Sequence, residues 1–309
     1  MKTIFLHIGT HKTGTTSLQQ FFARTASRLA REGVLYPRTG RTERLPWAHH
    51  GLAWSFLGWR GRRGRQQGDA LRREIEAWEG DRVLISCEDF SLLSCDKMRR
   101  LGRWLAGHRI EVVCYLRPPK DYVLSLYRQH LLSRGHRAAA RFVLQASRRA
   151  DYLRLVQRWE RLDGLAAMHL RPFDRVKRAP GLEADAAAWL GIDITRLANH
   201  IGPAVNVSPP PEVLRAVRAV TRLEKRLVHG FGMPARLVGS MARRMRRTFY
   251  RTPPGGMRRR SLSLLVGREP FRNDVPTEAW DAFRERLAAR HQTFLDRYID
   301  PDDHPYLQL

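Results

Sequence analysis

Lysine is almost missing from a chain that is otherwise strongly basic. Six lysines (Lys2, Lys12, Lys97, Lys120, Lys177 and Lys225) stand among 56 basic residues, so 50 are arginine. Acids are also few, 30 in all, and the formal net charge is +26. Such a field draws anions: nucleotides, acidic glycans, nucleic acid or anionic lipid. Cysteine is sparse as well. Cys87, Cys95 and Cys114 have no metal-ligand spacing, which argues against a zinc module or a disulfide framework and points to a reducing compartment. Cys87 and Cys114 fall in or beside apolar runs and read as buried thiols. No run approaches the roughly 20 apolar residues of a membrane span, and "MKTIFLHIG" is too short for a signal peptide. The expectation is a cytoplasmic protein. Hydrophobic residues make up 43%, enough for a core, which argues against disorder of the whole chain.

Residues 2–8 read as a buried strand, followed by a glycine turn and a helix with Leu18, Phe21, Phe22 and Leu29 at helical spacing. "RVLIS" (82–86), "IEVVCYLR" (110–117) and "LAAMHLRPF" (165–173) are further strand candidates. Helical patterns at 69–78, 96–106, 119–133 and 147–162 separate them. Alternating strands and helices predict a three-layer α/β/α fold around a central parallel sheet. Ligands in such sheets bind beyond the carboxyl ends of the strands. Residues 38–68 carry Trp47, His49, His50, Trp54 and Trp59 and read as a loop or lid at the acceptor site. Beyond about 205 the chain turns mostly helical and basic. One domain over 1–309 is expected.

"HIGTHKTGTTSLQ" (7–19) joins strand to helix through Gly9 and Gly14. Backbone N–H groups and the helix dipole make such a turn an anion site. The ATP-binding loop, G-x-x-x-x-G-K-S/T, has lysine after the second glycine. Here Thr15 holds that position and the lysine comes earlier, at Lys12.

"KTGTTSLQ" closely resembles the 5′-phosphosulfate loop of sulfotransferases that use 3′-phosphoadenylyl sulfate (PAPS). "CYLRPPKDYVLSLYRQHL" (114–131) resembles the same family's 3′-phosphate site, with Arg117 and Ser125 matching its arginine and serine. The resemblance covers residues 2–31 and 82–133 and runs loosely through 169–176 and 206–214. It implies a P-loop-like fold and transfer of a sulfuryl group to a hydroxyl or amine, with adenosine 3′,5′-bisphosphate (PAP) as product. It further implies that Lys12, Thr13, Gly14, Thr15, Thr16 and Ser17 bind the phosphosulfate, and Arg117 and Ser125 the 3′-phosphate. An Arg-Lys-Gly tripeptide that completes that site in cytosolic members is missing; "GREPFRND" (267–274), through Arg268 or Arg272, is a weak substitute.

Sulfuryl transfer needs a base for the acceptor's proton and a cation for charge growing on the leaving oxygen. Lys12 suits the cation, and no metal is required. Glu88 in "LISCEDF", just past the second strand, is the first choice of base, as the family resemblance also implies. Asp89 is expected to point elsewhere. His49 and His50 are the rival bases, since cytosolic members use a histidine in that window. His7 and His11 flank the loop, and His7 is assigned to the strand.

Two other classes fit some of these residues. "VLISCED" also resembles the acid-ended strand that holds magnesium in P-loop kinases. Thr15 and the Arg117–Ser125 pair speak against that reading. A non-enzymatic polyanion-binding protein is the other. "MPARLVGSMARRMRRTFY" (233–250) forms a basic amphipathic helix able to lie on an anionic membrane, and "GGMRRR" (255–260) follows it. Contact with the inner membrane surface is therefore an option. No nucleic-acid-binding signature is found. The acceptor, whether carbohydrate, glycolipid or other small molecule, is not specified. "TEAWDAFRERLAARHQTFLDRYI" (277–299) places Trp280, Phe283, Leu287 and Phe294 on one core-facing stripe.

Overall fold

The apolar N-terminal run becomes β1 (Thr3–Gly9), the central strand of a five-stranded sheet. The others are β2 (Val34–Leu35), β3 (Arg82–Ser86), β4 (Arg109–Leu116) and β5 (Leu165–Pro172). Their order is β2-β3-β1-β4-β5 and every pair is parallel. A computed structural model describes residues 1–58, 63–134, 139–197, 219–221, 223–224, 226–251 and 275–309. The segments 206–214, 255–260 and 267–274, and Trp59, lie outside these residues.

Successive strand residues point to opposite faces. Ile4, Leu6, Ile8, Val83, Ile85, Ile110, Val112 and Cys114 share one core; Phe5, Leu84, Val113 and Tyr115 share the other. On the second face lie α1 (Thr15–Arg24), α2 (Ala26–Arg31), α9 (Phe173–Arg178) and α10 (Leu182–Trp189). The first is covered by α3 (His50–Leu57), α4 (Arg63–Glu76), α5 (Cys95–Trp104) and α8 (Tyr152–Trp159), with Phe294 and Leu295 from a C-terminal helix, Thr277–Tyr298, and Ile299 just past its end. The three-layer α/β/α expectation is borne out.

The topology fixes where a ligand can enter. From β1 the chain leaves towards the β2 edge with α1 and α2 on one face. Every later crossover moves the other way, with helices of the opposite face. Right-handed crossovers require this change of face. The order therefore reverses beside β1, opening a crevice at the carboxyl ends of β1, β3 and β4.

Some boundaries differ from the sequence reading. The single helix expected over 147–162 is two, α7 (Ala139–Ala150) and α8. Asp151 separates them, its side chain accepting from the Arg154 N–H at 2.9 Å. An aspartate cap starts a helix afresh where apolar spacing alone runs on. β2, two residues long, is too short to stand out as an apolar run. The tryptophan-rich stretch 38–68 contains α3 and the start of α4.

Contacts divide the chain into two compact units: 1–119, 151–206 and 289–309 form the first, 120–150 and 207–288 the second. The first holds the sheet. In the second, Tyr127 and Leu131 of α6 (Pro119–Arg134) pack with Ala139 and Phe142 of α7. The stripe on the Thr277–Tyr298 helix is core-facing at Phe283, Leu287 and Phe294, with Trp280 half-buried. No helix among the described residues is long and apolar enough to cross a membrane.

Tyr115, on β4, donates to Asp185 of α10 at 2.6 Å and accepts from Trp189 at 3.1 Å, while Arg171 of β5 also binds Asp185. Burial, then the Asp185 charge, push its phenol well above the ordinary value. It is a neutral donor, and removing it leaves an indole N–H unpaired. Tyr115→Phe should cost about 1–3 kcal/mol, read as a lowered thermal midpoint with unchanged far-ultraviolet dichroism.

Candidate functional site

The loop after β1 is braced from below. Thr10 donates through its N–H and hydroxyl to the Tyr115 carbonyl, at 2.8 and 3.2 Å, and Thr13 Oγ1 donates to the Thr10 carbonyl at 2.6 Å. Thr13's hydroxyl is thus spent inside the loop. Gly14 caps α1 at φ 72°, with no side-chain cap, and the first bond back is from the Leu18 N–H. The amides of Thr15, Thr16 and Ser17 therefore head the helix as its positive end. Gly14 has no alternative: a Cβ there would lie 2.4 Å from Leu182 and 3.0 Å from Phe173.

Lys12 is the sole non-glycine residue with positive φ (68°) among the described residues. A residue with a Cβ is strained in this conformation, so the surrounding loop must hold it there. Burial and then the nearby Arg117 lower the Lys12 pKa; Glu88 acts against both. The ammonium thus feels both a second cation and a carboxylate.

Arg117 follows β4. Tyr152 donates to its carbonyl at 2.8 Å, its Nη1 reaches the Lys12 carbonyl at 3.5 Å, and its Nε lies 3.5 Å from Asp174 Oδ2. The guanidinium sits over the Phe173 ring, 5.2 Å from its centre, and its Nε is buried without a hydrogen bond. A guanidinium so lightly engaged retains donors for an anion. Ser125 is buried on α6, in the second unit.

Past β3 the chain makes a single 3-10 turn, Glu88–Leu92. Arg158 of α8 pins it by donating to the carbonyls of Leu93 and Ser91, at 2.9 and 3.1 Å; Ser91 Oγ donates to the Glu88 carbonyl at 2.7 Å. Gly9 packs so closely that a Cβ would come within 2.7 Å of the Glu88 Cβ. Gln19 of α1 donates to Glu88 Oε2 at 2.7 Å. Gln19 of α1 and Glu88 past β3 therefore meet, and Glu88 lies near enough to Lys12, in the loop after β1, for its charge to be felt there.

Asp89 departs from the sequence reading. It does not turn away: Oδ1 lies 3.0 Å from His11 Nε2, and Oδ2 accepts from His50 Nδ1 at 3.1 Å and from Trp54 Nε1 at 2.8 Å. Against the burial that would raise it, these donors hold Asp89 well below the ordinary carboxylate value. Burial opposes charge on His50 too, but the bond to Asp89 prevails and raises its pKa. Trp54 stacks on the His50 ring at 5.2 Å. Nothing along the sequence joins residues 11, 50, 54 and 89; only the sheet order does. Gln19 was detectable, as a polar residue on the buried face of α1 between Leu18 and Phe21.

His49 is removed from the rival bases. Its Nδ1 accepts from the Ser86 N–H at 3.0 Å, its Nε2 lies 3.0 Å from the Pro37 carbonyl, and burial brings its pKa to about 4. It is a neutral strut. His7, in β1 as expected, contacts Ser86 Oγ at 2.8 Å and is lowered by burial to about 3.

No protein-family model, curated protein or solved structure matches this chain.

His50, Cys87 and Glu88 offer ligand atoms within 4.8 Å of one another. His50 Nδ1 is already 3.1 Å from Asp89 Oδ2 and 3.2 Å from Cys87 Sγ, and burial lifts the Cys87 thiol far above its usual range. A metal here would have to displace the aspartate and ionise a buried thiol. The three cysteines are free.

Proposed function

We propose that the chain is a sulfotransferase that moves the sulfuryl group of PAPS to a hydroxyl or amine. The observation that carries the reading is Lys12, held in a left-handed backbone just before the Gly14 cap of α1, where the charges of Arg117 and Glu88 both reach it. An ATP-type loop presents its lysine from the helix; this one presents it from within the turn. PAPS supplies an activated sulfuryl group on a phosphate leaving group.

Within the crevice the α1 amides and Lys12 neutralise the phosphosulfate, and Arg117 takes the 3′-phosphate. Glu88 removes the acceptor's proton as its oxygen or nitrogen bonds to sulfur. The bond from sulfur to the phosphate oxygen breaks, PAP leaves, and Lys12 stabilises the charge left on that oxygen. Asp89 is too firmly bound to serve as the base, and its three partners likewise leave it poorly placed to hold magnesium for a kinase.

Calorimetry with PAP tests the reading. Binding that persists without a divalent ion is expected; no affinity in either condition ends the proposal, and binding that appears only with magnesium favours the kinase. A polyanion-binding protein without catalysis would bind heparin equally well after Lys12→Ala and form no sulfated product.

His50 is the second reading for the base, because Asp89 orients its ring as an acid–base histidine requires. A histidine base must be uncharged, so the rate would rise with pH through a pKa above the usual 6.5. Asp89→Asn removes the group that stabilises the imidazolium. If His50 is the base, the acid limb of the rate profile moves to lower pH and the maximal rate falls; a Glu88→Gln variant would then keep turnover. The acceptor is proposed only by class: carbohydrate, glycolipid or small aromatic.

A further inference from the structure

Met1 apart, every exposed large apolar side chain among the described residues falls between Leu223 and Met245. Scattered apolar exposure is ordinary; concentration in one short stretch marks a contact surface. The stretch lies in the second unit and leads into a helix, Ala235–Arg251. Val238 and Ala242 are buried and anchor that helix. The neighbouring row faces solvent: Leu237 is 56% exposed, Met241 60% and Met245 42%. Phe231, at 77%, is exposed in the bend before the helix. Two apolar rows on one helix are one more than packing on its own unit uses.

The charge of the segment restricts what covers the second row. From Arg226 to Arg251 there is no aspartate or glutamate, while arginine occupies 226, 236, 243, 244, 246, 247 and 251. A second copy would bring the same positive charge against itself. Nucleic acid or a sulfated glycan would engage the arginines and leave the methionine–leucine row wet. An anionic lipid surface satisfies both: acyl chains take the apolar row and head groups take the guanidinium charge. The helix is neither apolar nor uncharged enough to span, so it would lie in the interface plane.

We infer that residues 231–251 are an anionic-membrane docking element, with Phe231, Leu237, Met241 and Met245 as its immersed side chains. This stands independently of the transferase reading. The full chain is mixed with vesicles of phosphatidylcholine alone, or of phosphatidylcholine containing phosphatidylglycerol, and sedimented. Binding to the anionic vesicles only, weakened by salt, is expected. The triple variant Leu237→Ser, Met241→Ser, Met245→Ser should bind about tenfold less or worse. Its substitutions lie at the surface, and an unchanged thermal midpoint checks the fold. No binding of the wild type to anionic vesicles overturns the proposal. So does binding that the triple variant retains in full, the mark of arginine-only polyanion affinity. A concentration-dependent dimer that the triple variant abolishes, without vesicle binding, overturns it in favour of self-association.

Discussion

Lys12→Ala should lower sulfuryl transfer by about 100- to 1000-fold, the usual cost of removing one preorganised charge from a transition state. Single-turnover rates with PAPS and any acceptor found in extract would measure it. The companion substitution is more telling. Lys12 has φ 68°, a conformation glycine adopts freely and lysine does not. Its ammonium is also partly desolvated and faces Arg117. Lys12→Gly relieves both, so it should raise the thermal midpoint by the equivalent of about 1 kcal/mol while abolishing transfer just as alanine does. A residue that served only the fold would lose stability on replacement. If Lys12→Gly is less stable than the wild type, the strain assigned to this loop is absent and the catalytic claim loses its physical basis.

Glu88→Gln is the second large effect. The amide keeps the shape and can still accept from Gln19, but it cannot take a proton, and turnover should fall by about 100- to 10,000-fold. PAP affinity should hold or tighten, because a negative charge leaves an anion pocket. Glu88 is also the charge that props up the Lys12 pKa against burial and Arg117. Its removal therefore lowers the Lys12 pKa further, and residual activity should decline at lower pH on the alkaline side than in the wild type. Normal turnover in Glu88→Gln would move the base to His50, and the Asp89→Asn profile would then decide.

The strands were legible because burial on both faces makes them short continuous apolar runs, and the anion loop because glycine spacing is a local signal. Lys12 and Glu88 could be brought together on paper: one follows the first strand, the other the second apolar strand, and both ends face the same edge of a parallel sheet. The Asp89 cluster was not legible. His11, His50, Trp54 and Asp89 come from three separate connections, and their meeting depends on which strand neighbours which. Asp151 shows a different limit: apolar periodicity runs through it, and only its capping bond reveals the break between α7 and α8. Two tandem histidines could not be told apart by spacing either. One faces the Ser86 and Pro37 backbone, the other Asp89, and the helix start between them makes the difference.

The sheet-bearing unit is assembled from three stretches, the last of them 289–309. Phe294, Leu295, Ile299 and Leu307 from that stretch are part of the core beneath β1, β3 and β4. On the ribosome, then, the strands that carry the crevice emerge long before the side chains that seal their underside. Folding of this unit must await the tail and involves contacts between distant parts of the chain, which slows it. Nascent chains stalled before residue 289 would present an open hydrophobic sheet face to chaperones, and a tail clipped at that point should cost the whole unit rather than its edge.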